Sequence, residues 1–84
     1  MTLTILYFAS LREALGQGRE VLALPDEIGT VGALRHYLCE RGDVWSRLAP
    51  GNNVRAAVNQ QMARDDAALQ GGDEVAFFPP VTGG

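Results

Sequence analysis

Lysine is absent from this 84-residue chain: all seven basic residues are arginines, set against ten Asp and Glu, and the net charge is −3. An acidic domain without a basic stripe is a poor ligand for nucleic acid or anionic membranes. Without lysine the chain also cannot carry polymers of itself built on its own side-chain amines. The single cysteine, Cys39, excludes an internal disulfide and points to a reducing compartment. The single histidine, His36, excludes a metal site made of several histidines and leaves no second one for a Ser-His-Asp triad. No run approaches 18 apolar residues and no charged segment precedes an apolar run at the N-terminus, so the expectation is a soluble, cytoplasmic protein. Repeats, linkers and low-complexity segments are also missing. What is present, 46% hydrophobic and 20% charged residues, suits one small globular domain with little room for a deep catalytic pocket.

Residues 2–8 (TLTILYF) are rich in β-branched and aromatic side chains and predict a strand. Residues 10–16 predict a short helix with Ser10 as N-cap and Gly16 as its stop. Residues 19–24 (REVLAL) predict a second strand, broken by Pro25-Asp26. Thr30 then caps the best helix of the chain, running from Val31 to about Glu40 and ended by Gly42. Val31, Leu34 and Leu38 give it one apolar stripe, and Gly32 costs it a little. Asp43 is a candidate cap for a short turn of helix over 44–48. Residues 54–58 predict a third strand, 60–62 a fragment of a fourth, and 74–78 the last, entered through a turn at Gly71-Gly72-Asp73. The order β-β-α-β-β with one long helix predicts an α+β fold, a twisted mixed sheet wrapped around that helix on one face.

The two-residue period of a strand sorts its side chains. Leu3, Ile5 and Tyr7 point one way, and Thr4, Leu6 and Phe8 the other. Val75 and Phe77 likewise oppose Ala76 and Phe78. The expected core is Leu3, Ile5, Val31, Leu34, Leu38, Val58, Leu69, Val75 and Phe77. The opposite face, with Leu6 and Phe8 beside Thr4, is too apolar for water alone and reads as a partner surface.

Ordinary catalytic constellations are missing. His36 and Cys39 lie three apart on a helix, where two ligands do not make a zinc site; a solvent-facing histidine beside a half-buried cysteine is expected. Asp65-Asp66 is adjacent rather than facing and reads as a turn cap. Gly71-Gly72 lacks the GK[ST] and following helix of a phosphate loop. The segment from Pro79 to Gly84 is different. Pro79-Pro80 favours an extended conformation that holds the last residues off the sheet. Six residues reach about 20 Å at roughly 3.3 Å each. Gly83 and Gly84 have no side chains and thread a narrow channel. The terminal carboxylate, ionised with a pKa of about 3.5, becomes reactive only after activation, for example as an acyl-adenylate. Residues 1–78 are therefore expected as the domain, and residues 79–84 as a flexible tail.

The block GDEVAFFPPVTGG at residues 72–84 resembles the C-terminus of the small subunits of molybdopterin synthase. Residues 7–13 (YFASLRE) are similar to that family's first strand and following helix. Thr30-Val31 with Ala33-Leu34-Arg35, and Ala56-Ala57-Val58-Asn59-Gln60, resemble its central helix and third strand. The resemblance implies a ubiquitin-like β-grasp fold and a sulfur-carrier cycle. In that cycle an E1-like adenylyltransferase uses ATP to adenylate Gly84, and a sulfur donor protein converts the adenylate to a thiocarboxylate. The tail, threaded by Gly83, then enters the large synthase subunit and gives its sulfur to cyclic pyranopterin monophosphate for molybdenum cofactor. This chain itself is expected to hold no metal or cofactor. Phe8, Met62 and Phe78 are the expected docking patch. Pro79, Pro80, Val81 and Thr82 are the expected tail contacts, and Arg12 is a candidate rim salt bridge. Two alternatives keep the tail active: a thiamine-type sulfur carrier, or a ubiquitin-like modifier joined to lysines of other proteins. A third is a passive interaction domain.

Overall fold

The computed structural model of the chain describes residues 1–80. Its elements are β1 (Thr2–Tyr7), α1 (Ala9–Leu15), β2 (Arg19–Ala23), α2 (Val31–Cys39), a 3-10 helix (Asp43–Leu48), β3 (Arg55–Val58), β4 (Gln61–Ala63) and β5 (Glu74–Phe78). The five strands form one sheet in the order β2-β1-β5-β3-β4. β1 and β5 run parallel at its centre, and every other pairing is antiparallel. This is the expected α+β arrangement, with α2 on one face.

The direction of the strands decides what meets at each end of the sheet. Because β1 and β5 are parallel, Phe8 and Pro79 leave the sheet at the same end. The antiparallel partners begin there with Arg19 and Arg55, and β4 finishes there at Ala63. Met1, Asp26, Asn59 and Asp73 gather at the opposite end, where the Met1 ammonium lies 3.2 Å from Asp26 Oδ1.

Alternation sorts the faces as expected. Leu3, Ile5, Tyr7, Val75 and Phe77 are buried under the helix together with Val31, Leu34, Leu38 and Leu69. Fully burying a Leu, Val or Phe side chain contributes roughly 1.5–3 kcal/mol, so this set dominates the stability of so small a sheet. Val58 differs: it is only half-buried, because it lies near the far end of β3 and packs on the rim of the core. The core also takes Leu11 and Leu15 from α1, Leu24, and Leu48 from the 3-10 helix.

Local chemistry sets the boundaries. Thr30 caps α2 as expected, its Oγ1 accepting from the Ala33 N–H at 3.1 Å. Gly16 ends α1 at φ 74°, the left-handed position that glycine adopts without strain. Ser10, however, is not the N-cap of α1. The chain turns one residue earlier, through Ala9 at φ 54°, and the Phe8 carbonyl accepts the Leu11 N–H at 3.1 Å. Asp43 is likewise the first residue of its 3-10 helix and makes no side-chain cap. β4 starts at Gln61 because Asn59 and Gln60 form the two-residue turn, both at positive φ (51° and 69°). Gly32 has a packing reason beyond propensity. Its N–H donates to Asp65 O at 2.8 Å, and a Cβ there would lie 3.1 Å from that oxygen.

Candidate functional site

The expected docking residues share the face of the sheet turned away from α2. Phe8 follows β1 directly, donates its N–H to Phe77 O at 3.1 Å, and so stands beside Phe78 in the continued parallel register. Met62 pairs with Ala57, which pairs with Ala76, which pairs with Leu6. One cross-strand row is thus Leu6-Ala76-Ala57-Met62, and the next holds Phe8 and Phe78. Phe8 is 47% exposed and Met62 64%, while Phe78 and Leu6 are half-buried. Small Ala57 and Ala76 between larger neighbours leave a shallow apolar floor. The alternation argument therefore holds on this face too: an apolar row lies open to solvent at the end of the sheet where Pro79 departs.

Pro79 is half-buried and Pro80 exposed. Pro80 lines a groove of about 340 Å³ with Arg35, Asn52, Arg55, Arg64 and Asp65. With Pro79 it lines a second, of about 230 Å³, shared with Ser10, Leu11, Arg47 and Val54. The expected contacts Val81 and Thr82, with Gly83 and Gly84, lie outside the described residues. Arg12 is exposed on α1 and lies against Gly18, where a Cβ would come within 2.9 Å of its Nε.

The floor of the tail exit rests on Arg35, a residue that sequence reasoning did not single out for a role. Although charged, it is only 5% exposed. Its Nε donates to Leu48 O at 3.0 Å, its Nη2 to Ala49 O and Asn52 O, and its Nη1 meets Asp65 Oδ1 at 3.1 Å. A planar guanidinium with five donors can satisfy such a set, whereas an ammonium cannot. Arg35 thereby ties the loop that lines both grooves to α2 and to the turn after β4. Asp65, read as a turn cap, has its side chain committed to this arginine. The signals for Arg35 in the sequence are its place in the Ala33-Leu34-Arg35 resemblance and its position next to Leu34 on α2.

A second polar cluster closes the other edge of the core. Tyr7 Oη donates to Glu20 Oε1 at 2.7 Å, and Arg41 pairs with the same carboxylate at 2.8 Å while stacking 4.4 Å from the Trp45 ring. Trp45 meets Tyr7 edge-to-face at 5.5 Å. Burial, and then the bond to Glu20, push the Tyr7 hydroxyl well above the ordinary tyrosine range. Neutral and structural, it is no general base. His36 is exposed and pairs with Glu40 at 2.9 Å, and the Cys39 thiol donates to His36 O, as expected of a solvent-facing histidine beside a half-buried cysteine. Among the described residues no group of three or more His, Cys, Asp or Glu is arranged to hold a metal. Among the described residues, the end of the sheet where Pro79 departs offers an apolar platform and no acid-base pair.

The ThiS family model matches residues 5–84. The chain belongs to the ThiS family. Among ThiS-related proteins it is 42% identical to the molybdopterin synthase sulfur carrier subunit of Escherichia coli, over 95% of this chain and 96% of that one. It is 39% identical to the protein of the same name from Haemophilus influenzae, over 98% and 99% of the two chains. The crystal structure of SAMP1, a small archaeal modifier protein from Haloferax volcanii, superposes with a TM-score of 0.80 at 27% identity over the whole of both chains. The fold is accordingly the ubiquitin-like β-grasp that the resemblance implies. No described helix is long and apolar enough to cross a membrane.

Proposed function

We propose that this chain is the sulfur carrier subunit of a molybdopterin synthase and works in the cytoplasm. The observation that carries the reading is the near full-length identity to two sulfur carrier subunits, within a family match that runs through Gly84. The domain of residues 1–78 presents the platform, and residues 79–84 act as the arm. The Gly84 carboxylate attacks the α-phosphorus of ATP on an E1-like adenylyltransferase, pyrophosphate leaves, and an acyl-adenylate forms. The persulfide of a sulfur donor protein attacks the acyl carbon and displaces AMP. A thiol then cleaves the resulting acyl disulfide, forming a disulfide and leaving a thiocarboxylate. Inside the large synthase subunit that sulfur attacks the anionic precursor, cyclic pyranopterin monophosphate. Water then cleaves the acyl–sulfur bond, leaving the sulfur on the precursor and regenerating the carboxylate. Two such transfers build the dithiolene that holds molybdenum.

The division of labour follows from the surface. The described residues hold no acid-base pair at the tail exit, so the partners supply the catalytic groups and this chain supplies the sulfur-bearing atom. Phe8, Met62 and Phe78 form the docking platform, with Arg12 on its rim. Pro79 and Pro80 direct the arm away from the sheet, Val81 and Thr82 line its path, and Gly83 threads the channel. One platform serves both the activating enzyme and the large subunit, so the two compete for it.

The likeness to SAMP1 favours one second reading, a protein modifier joined to lysines of other proteins. Intact-mass spectrometry of the chain purified from its own cells separates the two. A sulfur carrier shows a species heavier by sulfur in place of oxygen. A modifier shows a ladder of conjugates, and that outcome without the sulfur species refutes the proposal.

A further inference from the structure

The arginines are not spread evenly over this acidic chain. Arg35 and Arg41 are committed to Asp65 and Glu20. Arg47, Arg55 and Arg64 are exposed, and none forms an ion pair with a described carboxylate. Those three line the two grooves that Pro80 borders, the second of them with Pro79: Arg55 and Arg64 the first, Arg47 the second. Topology puts them there. Arg55 opens β3 opposite Phe78, Arg64 follows the end of β4, and Arg47 sits in the last turn of the 3-10 helix. Asp26, Asp73 and Glu74 lie at the opposite end of the sheet, by the Thr2 end of β1. The chain is negative overall, yet at the end where Pro79 departs Arg47, Arg55 and Arg64, with exposed Arg19 at the start of β2, face one carboxylate of the groove, Asp65, which is held by Arg35.

We infer that Arg47, Arg55 and Arg64 form a guanidinium collar that docks on an acidic rim of the activating enzyme, around the mouth of the channel that receives the tail. The inference rests on the sulfur-carrier reading and names a property of one partner in it. Two considerations favour an acidic protein surface there. The collar adjoins the apolar platform, Arg55 being the cross-strand neighbour of Phe78, so it forms the charged rim of the same interface. The large subunit must also collect an anionic precursor, which calls for a cationic surround, so the collar gains no attraction there and its acidic counterpart is assigned to the activating enzyme. ATP reaches the activating enzyme with its charge largely met by a divalent cation, so an acidic rim is compatible with that partner. Rim charges act mainly on encounter and salt dependence, so the collar governs how readily the carrier is captured rather than the rate of adenylation.

The test uses the full chain and the adenylyltransferase of the same organism, read by ATP-pyrophosphate exchange. The variant Arg47→Gln/Arg55→Gln/Arg64→Gln lowers the net charge by three. Gln60→Glu/Gln61→Glu/Gln70→Glu lowers it equally at the opposite end of the sheet. The collar variant should raise KM on the order of tenfold at low salt with kcat unchanged. That gap should close at about 0.5 M salt. Arg→Lys at the three positions should retain most of the wild-type KM, and the opposite-end variant should match wild type. Equal KM shifts in the two charge-matched variants, or none in the collar variant, overturn the inference. Loss of sulfur transfer to the large subunit with an unchanged adenylation KM overturns it as well, because the rim then belongs to the other partner. If the wild-type chain is not adenylated at all, the sulfur-carrier reading itself fails, and the collar with it.

Discussion

Replacing Arg35 by alanine removes one guanidinium from four acceptors at once. Of these, Ala49 O keeps the Asn52 N–H and Asp65 is half-exposed, so that Leu48 O and Asn52 O are left bare. Leu48 O, Ala49 O and Asn52 O lose their charged donor, and Asp65 loses its ion-pair partner. Hydrogen bonds to charged groups are worth about 1.5–3 kcal/mol each. They are not additive here, since the freed loop can reach water. Leu48 O and Asn52 O, left without a donor, cost about 1–3 kcal/mol each, and the packing of a buried side chain is lost as well, so about 3–5 kcal/mol is the expected loss. A chain of 84 residues has a total stability of roughly 4–13 kcal/mol, so the variant should be close to unfolding at growth temperature. The melting temperature should fall by about 12–40 °C, at about 4–8 °C per kcal/mol for a domain of this size. Asp65→Ala should cost far less, about 1 kcal/mol or below, because that carboxylate is 44% exposed and screened. Arg35→Lys should fall between the two, keeping a charge near Asp65 but not the planar fork. Urea denaturation followed by circular dichroism gives all three values. A loss below about 1 kcal/mol for Arg35→Ala, or equal losses for Arg35→Ala and Asp65→Ala, would refute the claim that the loop carbonyls, Leu48 O and Asn52 O above all, carry the effect.

Phe8→Ala and Met62→Ala should change stability by no more than about 0.5–1 kcal/mol, yet weaken association with the activating enzyme and the large subunit, as measured by titration calorimetry. Phe78→Ala should also leave the domain folded with weakened binding; a lowered melting temperature with binding intact would make Phe78 a core residue instead. Gln60→Gly should stabilise the domain by about 0.5–1 kcal/mol in thermal melts, because a left-handed non-glycine residue costs roughly 1–2 kcal/mol, partly offset by the freer unfolded chain. Tyr7 is held neutral, its folded pKa above the unfolded value of about 10. The unfolded chain loses that proton first, so stability should decline as pH rises above about 10, and Tyr7→Phe should flatten that decline.

Much of this architecture is legible in the chain because it follows from short periods. Alternation in TLTILYF and EVAFF places Leu3, Ile5, Val75 and Phe77 inside and leaves Phe8 outside, and the spacing of Val31, Leu34 and Leu38 fixes the buried side of α2. Thr30 and Gly16 act where their chemistry predicts. Contacts distant in sequence are what periodicity does not carry. Arg35 has no role assigned from the sequence until the loop of residues 48–52 brings it three carbonyls. Gly32 reads as a small helix defect until the Asp65 carbonyl closes on it. Ser10 looks like a cap because nothing in the sequence announces that Ala9 takes the left-handed turn. On the candidate site, alternation identifies Phe8 and Phe78, and the resemblance adds Met62. The arginines beside the tail emerge only once strand order sets the start of β3 and the end of β4 side by side.

The central claim is that Gly84 carries the sulfur. It is tested most directly by thiocarboxylate formation on chains of altered length, with the adenylyltransferase, ATP and sulfur donor supplied and folding checked for each chain. Deleting Gly84 moves the reactive carbon back by about 3.3 Å, in chemistry that is sensitive to displacements of about 1 Å, and draws bulkier Thr82 toward the channel behind Gly83. One residue added after Gly84 overshoots by the same distance and brings a side chain with it. Intact-mass spectrometry should show the sulfur-bearing species on the wild-type chain and on neither length variant, with all three folded. Wild-type sulfur loading by a folded chain ending at Gly83 would contradict the account.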